Sequence, residues 1–146
     1  MGSSSGVYGT WLNEYPWDYF LTIAPRYEGV TSEACIRICR NFLNRHCGPG
    51  SYAFCSVERA GRNHIHALIG GTSITPESAI AVLSRHGRVQ IDPYIWNGGA
   101  AFYTAKGINT DFCAYDILGQ WPDLNYWGLL TERLAGGTFT VGHRKL

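Results

Sequence analysis

Two apolar runs, Tyr52-Ala53-Phe54-Cys55-Ser56-Val57-Glu58 and His64-Ile65-His66-Ala67-Leu68-Ile69, are separated only by the polar connection Arg59-Ala60-Gly61-Arg62-Asn63. No other feature constrains the fold as strongly. Both runs have the length and composition of strands, and they are expected to pair as a hairpin. Successive side chains in a strand point to opposite faces. His64 and His66 therefore share a face, and both imidazoles can reach one metal ion.

The hairpin sits within a chain of alternating element signals. An aromatic and β-branched run at 17–24, stopped by Pro25, reads as a strand. Thr31 or Ser32 can cap a helix whose apolar stripe is Ala34, Cys35, Ile38, Cys39, Phe42 and Leu43, with Gly48-Pro49-Gly50 ending it. Thr75-Pro76-Glu77 is a capped helix start with proline at its first position, and Gly87 is placed to end that helix. Residues 89–95 read as a fourth strand, with Pro93 marking its end or an exposed edge. Asn97 can cap a short helix through Ala100, Tyr103 and Lys106, closed by Gly107. Beyond it, 112–118 is expected as a strand and 124–134 as a helix. The order predicts an α+β fold, a central antiparallel-rich sheet flanked by helices, with one sheet face left for a site.

At 146 residues the chain is expected to form one domain over residues 11–146, preceded by a flexible Gly/Ser-rich end at 1–10. A net charge of +1 gives no global basic signature, so any nucleic-acid contact must come from a local groove. Five cysteines without a C-x-x-C pair make neither a disulfide framework nor a zinc ribbon, and Cys35 and Cys39 are expected to pack as small apolar groups. Neither a membrane span nor a signal peptide is visible. An intracellular protein, cytoplasmic or nuclear depending on the host, fits these features.

Glu58 ends the strand that pairs with the histidine strand, which brings its carboxylate alongside His64 and His66. Two imidazoles and one carboxylate suit a divalent ion such as Mn²⁺ or Mg²⁺ and leave coordination positions open for phosphate oxygens. The competing reading is a histidine pair that binds no metal. Tyr103 and Lys106, three apart, share a face if they lie on a helix. A phenol attacks phosphorus only when something stabilises the phenolate, and a neighbouring ammonium with a metal-polarised phosphate does so. Packed tyrosines at this spacing are common, so Tyr103 gains its meaning from the histidine pair.

Three ordered segments, Phe20-Leu21-Thr22, His64-Ile65-His66 and Tyr103-Thr104-Ala105-Lys106, with Glu58 before the pair, resemble the motifs of the HUH endonucleases. More specifically, the chain resembles the single-tyrosine rolling-circle replication initiators, the Rep proteins, over about residues 17–107. The resemblance implies a nuclease domain with an RRM-like core. It further implies a divalent metal held by Glu58, His64 and His66, and single-stranded DNA, at an origin or stem-loop, as substrate. Tyr103 would attack to leave a free 3′-hydroxyl and a 5′-phosphotyrosine, with Lys106 steadying charge. Host or viral replication proteins would be partners, and the chain would act as a monomer.

DNA contacts are expected from Arg59, Arg62 and Lys106 on phosphates, with Trp17, Tyr19 or Trp96 stacking on bases. Core packing is the alternative for each of those aromatics. Tyr115 is read as structural, and Asp111 and Asp116 as minor candidates for the metal. The chain has no Gly-x-x-x-x-Gly-Lys loop, so the helicase of many viral Rep proteins is not in this sequence. Two rivals remain. One is a single-tyrosine HUH transposase, which the 37 positions from His66 to Tyr103 and the lysine disfavour; the other is a non-catalytic single-stranded nucleic-acid-binding module.

Overall fold

A computed structural model describes residues 4–59, 63–96, 99–105 and 113–122. Along the chain these form α1 (Ser4–Leu12), β1 (Tyr19–Pro25), α2 (Ser32–His46), β2 (Tyr52–Glu58) and β3 (His64–Gly70). After them come α3 (Pro76–Leu83), a 3-10 turn (Ser84–His86), β4 (Gly87–Pro93), α4 (Ala100–Ala105) and β5 (Cys113–Gly119).

The expected hairpin is the middle of the sheet: β2 and β3 pair antiparallel from Tyr52 opposite Gly70 to Glu58 opposite His64. β3 then pairs with β1, β1 with β4, and β2 with β5, all antiparallel, in the spatial order β4-β1-β3-β2-β5. β4 is an edge strand closed by Pro93, where a missing ladder donor is tolerated. The fold is thus α+β, with a five-stranded antiparallel sheet packed against helices, as the element order predicts.

Alternation along the strands divides the molecule into two cores. Leu21, Ile23, Ala53, Cys55, Val57, Ile65, Ala67 and Ile69 face α2 and α3, burying Cys35, Cys39, Phe42, Leu43, Ala79 and Leu83 against the sheet. Thr31 caps α2 by accepting from the Ala34 N–H at 3.0 Å, and Thr75 does the same for Ser78 at 3.2 Å, with Pro76 opening α3. Cys35, Cys39, Cys47 and Cys55 are all buried free thiols, matching the small-apolar reading of the first two.

On the other face, Phe54 and Leu68 pack with Leu12, Tyr15, Trp17, Tyr52, Ala101 and Ala105. Here the structure departs from expectation. Residues 4–10, expected as part of a flexible end, belong to α1, which packs on α4 and covers part of this face. Nothing local announces that helix, with Gly6 and Gly9 inside it and no acid in its first turn. Tertiary burial of Tyr8, Trp11 and Leu12 holds it instead. Gly70 lies in the same column as His64 and His66, where the Tyr52 ring crosses so closely that any Cβ would strike it. The expected helix at 124–134 falls outside the described residues.

Truncating Ile65, fully buried between β3 and the α2/α3 layer, is expected to cost about 2–5 kcal/mol in urea denaturation of Ile65→Ala. The thiols set a pH limit. Burial first, and Cys39 second, push Cys35 up to about 11, and burial likewise raises Cys47 to about 11. A raised folded-state value means the folded chain holds the proton longer, so this stabilisation is complete below the unfolded thiol range and is lost as pH rises through about 9 to 11. Unfolding free energy measured from pH 8 to 11 should fall, and Cys35→Ala should flatten the slope.

Candidate active site

The column His64, His66, Leu68 on β3 and the column Glu58, Ser56, Phe54 on β2 lie side by side on the face that carries α1 and α4. On the far side of β3, Thr22 of β1 stands opposite His66 and Phe20 opposite Leu68. His66 is the anchor. It is 4% exposed, its Nδ1 lies 3.5 Å from Thr22 Oγ1, and its Nε2 lies 3.7 Å from Glu58 Oε1.

Glu58 and His66 are therefore adjacent but not hydrogen bonded. Two donors on one octahedral ion at about 2.1 Å each sit roughly 3 Å apart, so a small side-chain shift would bring this pair to such a spacing. His64 is directly opposite Glu58 in the ladder, where Cβ atoms of paired residues are roughly 5 Å apart, and it lies within reach as a third donor. Among the described residues no three histidine, cysteine or acidic side chains already enclose an ion position. Two imidazoles and one carboxylate fit a divalent ion, with Glu58 and His66 as the converged part.

Tyr103 comes to this pair from α4. Its ring meets the His66 imidazole edge-on at 4.9 Å and the Phe20 ring at 6.2 Å, while 45% of the residue remains exposed. A phenol held this way is fixed by packing on one side and open to a ligand on the other. The register of α4 is set by two bonds. Ser56 Oγ donates to the Thr104 carbonyl at 2.7 Å, and Thr104 Oγ1 donates to the Ala100 carbonyl at 2.8 Å. Beside Tyr103 an open groove of 580 Å³ runs along Phe20, Asp92, Pro93 and Ile95.

Other expected contacts fare differently. Trp17 is a core residue: it is 7% exposed, packs on Tyr15, Tyr52 and Trp121, and its indole N–H donates to the Leu12 carbonyl at 2.7 Å. Core packing wins because the indole fills the gap between α1 and the sheet. Tyr19 points to the opposite sheet face and packs on the α2/α3 core, since it is one residue out of phase with Phe20. Trp96 is 65% exposed beyond β4, with its N–H donating to the Asn13 carbonyl at 2.9 Å, and its ring face is accessible. Arg59 is exposed at the end of β2. Arg62, Lys106 and Asp111 lie outside the described residues. Asp116 faces away from the site and pairs with Arg40 at 3.0 Å. Tyr115 stacks on Phe54 at 5.8 Å, in keeping with a structural role.

Ser56 and Thr22 were not singled out individually from the sequence. The available signal was strand phase, since Ser56 is two residues before Glu58 and Thr22 ends the Phe20-Leu21-Thr22 segment. Comparison with protein-family models, curated proteins and solved structures gives no match. Among the described residues, no helix is long and apolar enough to cross a membrane.

Removing the Ser56 hydroxyl takes a hydrogen bond from a buried carbonyl of α4, at a cost of about 1–3 kcal/mol. Ser56→Ala is expected to lose that much in urea denaturation and to shift the Tyr103 and His66 ring resonances together. Unmoved rings would show that this bond does not hold α4 over the sheet.

Proposed function

We propose that the chain is a metal-dependent HUH-type endonuclease and strand transferase acting on single-stranded DNA, in the manner of a rolling-circle replication initiator. The observation that carries this reading is the edge-on contact of Tyr103 with His66, which joins a candidate nucleophile to a histidine and carboxylate pair from the central hairpin. The β1-α2-β2-β3-α3-β4 order, with spatial order 4-1-3-2, is the split βαβ arrangement that an RRM-like core requires, and it supports the reading at the level of fold.

Glu58, His64 and His66 would hold the ion. When bound, it would supply polarisation of a phosphate oxygen and offset the negative charge carried by the phosphoryl oxygens. The chain's own groups do the rest. Tyr103 Oη forms a bond to phosphorus as the bond from phosphorus to the 3′-oxygen breaks, and in sum the phenol proton ends on the departing 3′-oxygen. The downstream strand is left as a 5′-phosphotyrosine, whose retained ester energy allows the reverse reaction to rejoin strands without a nucleotide cofactor. Phe20 and His66 fix the phenol's approach, which lowers the entropic part of the barrier. Lys106, next after α4, is the candidate to steady phosphate charge.

Incubation of the chain with labelled single-stranded oligonucleotides and Mn²⁺ should give a covalent adduct on a denaturing gel, absent with EDTA. Tyr103→Phe should abolish it, and Glu58→Gln or His66→Ala should reduce it by at least 100-fold, the order of loss when a single electrostatic or positioning group is removed from a site. An adduct that persists in Tyr103→Phe contradicts the assigned nucleophile. DNA binding without any adduct points to the binding-module alternative.

A further inference from the structure

The edge of the sheet at β4 carries a charge pattern that the nuclease reading does not use. β4 ends the strand order, and Arg88, Gln90, Asp92 and Pro93 on it are exposed. Its register on β1 fixes which backbone groups face outward. Arg26 N–H donates to the His86 carbonyl and Tyr94 N–H to the Asp18 carbonyl, both in line with the β1 to β4 pairing. Backbone bonding alternates along an antiparallel ladder, so even-numbered residues of β4 bond toward β1 and odd-numbered ones turn their N–H and C=O groups away from the sheet. Val89 and Ile91 therefore present backbone groups that, among the described residues, have no partner.

Side chains alternate as well. Arg88, Gln90 and Asp92 stand on the same face as Phe20, while Val89 and Ile91 pack into the core behind the sheet. Arg88 and Asp92 are the charged residues of β4, one on each side of Gln90 at equal distance. Along one strand they are separated by about 13 Å, too far to pair with each other. Among the described residues neither belongs to an ion pair, and Asp92 accepts from the Gln90 side-chain amide at 3.0 Å.

We propose that β4 pairs antiparallel with β4 of a second copy of this chain, about a two-fold axis through Gln90. In that register Arg88 lies opposite Asp92 of the second copy, and Asp92 opposite Arg88 of the second copy. Val89 and Ile91 exchange ladder bonds with Ile91 and Val89 of the second copy, and these are the residues whose backbone groups face outward. The charged residues fall at non-hydrogen-bonded positions, where paired Cα atoms are about 4.5 Å apart and side chains meet most closely. Pro93, which has no N–H, falls opposite Gly87, whose N–H is already taken by the Ser84 carbonyl, so only the ends of the ladder lack donors. A parallel, in-register pairing would instead set like charges side by side. Edges that avoid association carry charges that repel across the pair, whereas opposite charges placed symmetrically about the strand centre favour an isologous contact.

The axis is perpendicular to the sheet, so the two Tyr103 faces lie on one side of a continuous sheet. Asp92 borders the groove beside Tyr103, and Arg88 of the second copy offsets its charge there. This assembly differs from the monomer that the family resemblance implies, and it stands on the strand edge alone, independent of the nuclease reading.

A one-strand interface is small, so sedimentation velocity of the full chain from about 10 µM to 1 mM should show monomer passing to dimer. Arg88→Asp leaves acids on both sides of the centre and Asp92→Arg leaves cations on both. Each variant alone should stay monomeric, and an equimolar mixture of the two should recover the dimer. Register is read separately. Gln90→Cys, on the axis, should cross-link to its copy in oxidised glutathione, whereas the parent should not, nor should Arg88→Cys, whose counterpart lies about 13 Å away. All three positions are exposed, so circular dichroism of the variants should match the parent's. The proposal is overturned if the parent stays monomeric throughout, if the single charge reversals dimerise as the parent does, if their mixture stays monomeric, or if positions 88 and 90 cross-link equally. A parent that stays monomeric but takes up an added extended peptide along β4 would overturn it in favour of a different partner. Absence of the DNA adduct with the dimer intact removes the nuclease and keeps the pairing; an adduct formed by a strictly monomeric chain does the reverse.

Discussion

The pairing of β2 with β3, Glu58 opposite His64, is the constraint on which the rest of the molecule depends. A slip of β3 by one residue would turn His64 and His66 into the α2/α3 core and bring Ile65 out to the other face. The slip is opposed by apolar residues on both sides: Val57, Ile65, Ala67 and Ile69 are buried behind the sheet, and Phe54 and Leu68 in front. Polar site residues are thus held in place by their apolar neighbours in sequence.

The two faces divide the work. Behind the sheet, aliphatic and thiol groups pack on two capped helices. In front, an aromatic cluster fills one end, around Trp11, Tyr15, Trp17 and Trp121, while the other end is left to Thr22, His66, Glu58 and Tyr103. The aromatic end fixes α1 and α4, and α4 in turn carries Tyr103 over the histidine.

Much of this was legible in the sequence because the signals were local. Apolar runs either side of a short polar connection marked β2 and β3, threonine caps marked α2 and α3, and Pro93 marked the end of an edge strand. The contact between Tyr103 and His66 could be expected only from motif order, since no local rule brings residues 37 apart together. α1 was illegible because its helicity comes from burial against α4 rather than from propensity. Trp17 and Tyr19 look alike as stacking candidates until phase is known; one fills the front core, the other lies behind the sheet.

The central claim is that Glu58, His64 and His66 form one ion-binding centre beside Tyr103. Titration of the isotope-labelled chain with substoichiometric Mn²⁺, followed by NMR, tests it most directly. The account predicts selective broadening of resonances from Glu58, His64, His66 and Tyr103, reversed by EDTA and lost in His66→Ala. Broadening centred elsewhere, such as at Asp92 or Asp116, or broadening unchanged by His66→Ala, would contradict it.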